Sequence, residues 1–106
     1  MARDEAAAVV IDQVFNEFEL WKAALPEGAV AGLSEEERPT GAARAARLDV
    51  ETAARLVQVT IWDSGEVDLV VGDLASGGVL VNEHREVTSQ LGIRELLADV
   101  REAIVG

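Results

Sequence analysis

Between residues 57 and 71 the chain reads Val57-Gln58-Val59-Thr60-Ile61-Trp62-Asp63-Ser64-Gly65-Glu66-Val67-Asp68-Leu69-Val70-Val71. On both sides of Asp63-Ser64-Gly65 an apolar side chain recurs at every second position, the period of a strand with one buried face. The central triplet has the composition of a three-residue hairpin loop, a type I turn closed by Gly65 in the left-handed conformation, which glycine enters without a Cβ penalty. Such a loop sets Trp62 opposite Glu66 and Ile61 opposite Val67. Val57, Val59 and Ile61 then share a face with Val67, Leu69 and Val71, and this face is the core side. Trp62, Leu56, Thr60, Val70, Glu66 and Asp68 fall on the other.

Working outward, Ala46, Leu48 and Val50 alternate with Arg47, Asp49 and Glu51, so the spacing predicts strands at 46–51, 56–62 and 67–73. Asp73-Leu74-Ala75-Ser76-Gly77-Gly78 is the next turn, followed by a strand at 79–87 with Val79 and Val81 on the core parity. Glu83 and Arg85 share that parity, so either they lie beyond the edge of the core or a bulge changes their facing. At both ends the period changes. Ala7, Ile11, Val14, Phe18, Trp21 and Leu25 recur at three- and four-residue spacings, and Asp12, Gln13, Asn16, Glu17, Glu19 and Lys22 take the opposite side of one helix over 4–25. Asp4 and Glu5 suit its N-terminus, and Pro26 and Gly28 stop it. Ile93, Leu96, Leu97, Val100 and Ile104 mark a second helix over 91–104, with Thr88 or Ser89 as its N-cap. The expected class is α+β: helix, four-stranded antiparallel meander, helix, with both helices on one face of the sheet. Residues 26–45 have no sustained period and read as a mobile loop. Within it Ser34 and Glu37 match a capping box good for one helical turn before Pro39, and Glu35-Glu36-Glu37 is either a solvated stretch or a lure for a basic partner.

The chain has 106 residues, 49% hydrophobic, with a formal net charge of −11 and no cysteine. A chain this long buries roughly 65% of its unfolded surface, enough for one core and one domain over 1–106. Lacking cysteine, it has no disulfides, thiol nucleophile, iron–sulfur cluster or cysteine-based zinc site. The charge is even: residues 1–53 carry five basic and eleven acidic side chains, residues 54–106 four and nine. Such a domain repels nucleic acid and anionic lipid and attracts basic partners at long range, although the same charge also serves solubility. The apolar run Ala6 to Ile11 is broken by Asp12, which fits neither a secretory signal nor a membrane span, so no membrane role and a cytoplasmic location are expected.

Catalytic motifs are absent. Gly72-Asp73-Leu74-Ala75-Ser76-Gly77 has phosphate-loop spacing, but Gly78 and Val79 stand where lysine and a hydroxyl residue are needed. Asp63 to Asp68 gathers three carboxylates, yet Asp68 and Leu74 occupy the places where a calcium loop needs glycine and glutamate. His84 is the single histidine: it is either a general base oriented by a carboxylate or, more simply, a surface histidine paired with Glu86 or Glu83. No catalytic residue, metal or cofactor is therefore assigned. Trp62 is different, because an outward tryptophan beside Leu56, Thr60, Val70, Glu66 and Asp68 fits a partner-binding face. The alternatives are that the 26–45 loop covers it or that a second copy does, making a homodimer through the outer sheet face.

Ala54-Arg55-Leu56-Val57-Gln58-Val59-Thr60-Ile61-Trp62-Asp63-Ser64-Gly65-Glu66-Val67-Asp68-Leu69, continued by Gly72 to Gly77 and Glu83-His84-Arg85-Glu86-Val87-Thr88-Ser89, resembles the TriTu immunity protein family of bacterial polymorphic toxin systems. Ile61 to Glu66 and Glu83 to Glu86 are the distinctive pieces, and the resemblance covers roughly the C-terminal half. It implies a small cytoplasmic antidote, not an enzyme, that binds and blocks a cognate toxin. The competing reading is a small dimeric secretion chaperone or adaptor that holds an apolar segment of a partner protein.

Overall fold

A computed structural model of the chain describes residues 9–37 and 44–105. The elements run α1 (Ile11–Ala23), β1 (Val30–Glu37), β2 (Arg44–Glu51), β3 (Arg55–Trp62), β4 (Glu66–Asp73), β5 (Val79–Glu86) and α2 (Gln90–Val105). The strands form one antiparallel sheet in sequential order β1-β2-β3-β4-β5. The class is α+β as expected, but with five strands rather than four.

The extra strand comes from the segment expected to be a loop. β1 lies at the sheet edge, with Ala31 opposite Val50 and Leu33 opposite Leu48. Among its described side chains only those two pack on the core, so its two-residue period is short, and Gly32, Ser34 and the glutamates mask it. Neither a loop nor a capped helical turn describes Ser34 to Glu37. Instead Glu35 accepts two bonds from Arg44, at 2.6 and 3.0 Å, and Glu36 accepts one from Arg47 at 2.9 Å. Diagonal cross-strand ion pairs thus fasten a strand whose intrinsic preference is weak. Charged side chains also suit an edge that would otherwise template further pairing.

The hairpin at 62–66 forms as its composition requires. Gly65 has φ +94°, its N–H donates to the Trp62 carbonyl at 2.8 Å, and Ile61 sits opposite Val67. Leu48, Val50, Val57, Val59, Ile61, Val67, Leu69 and Val71 form one buried sheet face. Val14 and Phe18 of α1 and Ile93, Leu96, Leu97 and Val100 of α2 join the same cluster, so both helices cover that face. Trp21 packs at its margin and donates its indole N–H to the Leu97 carbonyl at 2.9 Å, tying α1 to α2. The tie satisfies a polar group that would otherwise be buried unpaired.

Three further expectations change. α1 begins at Ile11 rather than near residue 4, with Val9 and Val10 preceding it; Ala7, Asp4 and Glu5 lie outside the described residues. Glu17, placed on the solvent side by periodicity, is 5% exposed because it faces α2 and binds Gln90 and Arg94. Glu83 and Arg85 keep the core-side parity opposite Leu69 and Val67 but lie beyond the apolar cluster, where Arg85 binds Asp99 of α2 at 2.7 Å. The register irregularity is elsewhere, between Val71 and Gly72, and it sets Val79 opposite Gly72, off the core parity and 65% exposed. Ser89 is the α2 N-cap, its hydroxyl accepting the Gly92 N–H at 3.2 Å.

Candidate partner-binding face

Because side chains alternate across a strand, the register that buries one face defines the other. Along the outer face, the row nearest the β3–β4 turn has Glu36 and Ala45 on the first two strands, Trp62 and Glu66 flanking the turn, and Glu86 on β5. The next rows are Arg47, Thr60, Asp68 and His84, then Asp49, Gln58, Val70 and Asn82. The last is Glu51, Leu56, Gly72 and Val79. All six residues singled out in the sequence, Trp62, Leu56, Thr60, Val70, Glu66 and Asp68, therefore share this face. Both helices pack on the other side, and β1 extends the sheet edge instead of folding over Trp62, while residues 38–43 of the expected loop lie outside the described residues.

Trp62 is half-buried and Ala45, directly opposite it, is fully buried. The small side chain at 45 leaves room beside the Trp62 indole, a rigid apolar group with a polar edge. Across the face the carboxylates Glu36, Asp49, Glu51, Glu66, Asp68 and Glu86 outnumber the cations, with Glu36, Glu66 and Glu86 in the row of Trp62, and Arg47 is the only arginine on this face among the described residues. Arg47 is held between Glu36 and Asp49, at 2.9 and 3.0 Å, and these bonds raise its pKa further.

His84 belongs to the same face. Its Nδ1 lies 3.0 Å from Asp68 Oδ1 and its Nε2 3.7 Å from Glu66 Oε1, so its partners come from β4 rather than from Glu86 or Glu83 on its own strand. Glu83 points to the opposite face and binds Arg85. The Asp68 hydrogen bond, with Glu66 and Glu86 nearby, raises the imidazole pKa above its ordinary 6.5. His84, Glu86 and Ala45 were not among the six residues assigned to this face from the sequence; the parity of His84 with Glu86 was visible there, but their alignment with Asp68 and Glu66 depends on the β4–β5 register.

Two clefts lie away from this face. One, of about 210 Å³, is lined by Val9, Gln13, Ser89 and Ile93, and the other, of about 300 Å³, by Pro26, Ala29, Thr52 and Ile104. Neither contains His84. Among the described residues no helix is long and apolar enough to cross a membrane, and no three His, Asp or Glu side chains are placed to hold a metal ion.

No curated protein matches the chain. The family model described as Immunity protein TriTu matches residues 15–103, from the first turns of α1 through the whole sheet to near the end of α2, well beyond the C-terminal half that carries the resemblance by eye. The chain belongs to the TriTu immunity protein family.

Proposed function

We propose that this immunity protein neutralises a cognate toxin by binding alone, in the cytoplasm of the cell that makes it, and that the outer sheet face around Trp62 is the contact. One observation carries the reading: a half-buried tryptophan sits on a sheet face that neither helix covers, ringed by carboxylates. A central aromatic anchor supplies contact area at small entropic cost, and the acidic surround steers a basic surface towards it. With a net charge of −11, encounter with a basic toxin is fast at low salt and slows as salt screens the field. His84 adds to the reading as an exposed side chain set among carboxylates, an acidic surround that suits a basic partner.

The test is purification of the chain together with the toxin domain encoded beside its gene, followed by the same experiment with Trp62→Ala. A stable complex that weakens in the folded variant supports the reading. A complex indifferent to Trp62→Ala moves the contact to another surface, and no complex with the wild-type chain refutes it.

A further inference from the structure

The outer face is polarised along its strands. At one end Glu66, Asp68 and Glu86 converge on His84 beside Trp62. At the other, Leu56, Gly72 and Val79 present apolar surface with Glu51 the one carboxylate in their row, Val79 being 65% exposed. A Cβ on Gly72 would meet nothing closer than the carbonyl oxygens of Leu56 and Gly78 at 3.9 Å, so the middle of this end is an open, shallow trough. The register irregularity beside it brings Val79 opposite Gly72 on this face. The two ends are six strand residues apart, about 20 Å.

We infer that the toxin element seated on this face is amphipathic along its length, with Lys or Arg at the Trp62 end and aliphatic side chains at the Leu56 end, aligned with β3. This rests on the function proposed above and adds the chemistry and direction of the partner. The opposite orientation would press aliphatic groups onto Glu66, Asp68 and Glu86 and strip their water without replacing it, while cations would be desolvated against Leu56 and Val79, where Glu51 is the one carboxylate in the row. A second copy of the chain fits badly in either direction. Aligned, it sets carboxylates against carboxylates; reversed, it sets them against the aliphatic end.

The chain has no cysteine, so one can be placed at either end. Ser64→Cys, in the β3–β4 turn, and Ala75→Cys, in the β4–β5 turn, each carry a cysteine-directed photo-crosslinker into the complex with the neighbouring toxin domain. Mass spectrometry should find the first joined beside Lys or Arg and the second beside aliphatic residues of the same toxin segment. In parallel, Val79→Ser, at an exposed position and so not a test of folding, should speed dissociation and leave the salt dependence of association unchanged. Reversed cross-links, the same toxin residues reached from both ends, or unchanged dissociation of Val79→Ser would overturn the inference while a Trp62-dependent complex stands. If Trp62→Ala has no effect or no complex forms, the fault lies in the proposed function itself.

Discussion

Arg94 of α2 reaches back to α1 and binds both carboxylate oxygens of Glu17, at 3.0 Å each. Glu17 is nearly enclosed while Arg94 is 60% exposed, so the pair is a hinge pin with one wet end. Arg94 holds the Glu17 pKa below its ordinary 4.5, against the opposing effect of burial. A depressed carboxylate contributes stability that is fully present above about pH 4.5 and disappears as pH falls through the lowered value. Glu17→Gln should cost on the order of 1 kcal/mol at neutral pH, because exposed Arg94 recovers its hydration, and should flatten the acid limb of the stability curve. Thermal melts from pH 7 to pH 3 check both; an acid limb identical to wild type would remove Glu17 from the account.

The imidazole of His84 titrates with the opposite sign. Its pKa is raised by the Asp68 hydrogen bond, so its contribution is fully present below about pH 6.5 and is lost as pH rises through the folded value. His84→Gln should abolish that slope between pH 6 and pH 8 and leave the rest of the profile unchanged. Protonation also offsets part of the carboxylate charge on the outer face, so association with a basic toxin should slow as pH falls from 8 to 6. In His84→Gln that dependence should vanish, as stopped-flow mixing would show.

Ile61, Leu69 and Phe18 are 0%, 4% and 0% exposed, and each faces the cluster shared by sheet and helices. Truncating any of them to alanine should cost about 2–5 kcal/mol. Denaturant midpoints measure this directly, and the slope of each transition should remain that of the wild-type chain.

On the outer face, charge and contact should separate kinetically. Glu66→Gln with Asp68→Asn should slow association and weaken its salt dependence, since those groups act before contact. Trp62→Ala should act mainly on dissociation, at roughly 2 kcal/mol or more for a central anchor. Surface plasmon resonance at two salt concentrations distinguishes the pair of effects.

The alternation around Asp63-Ser64-Gly65 made the sheet legible in the sequence, because a three-residue turn leaves one register and the register leaves one buried face. The outer face followed from the same parity. β1 was not legible, since the glutamates that dominate it are held by arginines ten or so residues away, a tertiary effect that propensity does not contain. Glu17 was missed for a related reason. Helical periodicity separates apolar from polar but cannot know that a second helix brings an arginine to a polar position. The cross-strand meeting of His84 with Asp68 also needed three dimensions, because the irregularity at Gly72 shifts the β5 register.

Every strand pairs with the one just before or after it in the chain, and among the described residues the long separations belong to the helices: Trp21 to Leu97, Arg55 to Ala103, and Val9 ahead of α1 to Asp63. Such a meander assembles by adding neighbours, with short loops to close at each step, and folding speed rises as contacts become more local. The sheet should therefore zip early, with the helix pair docking last through Trp21 and Glu17. Under the function proposed above, this ordering puts the outer sheet face in place ahead of the final closure of the molecule.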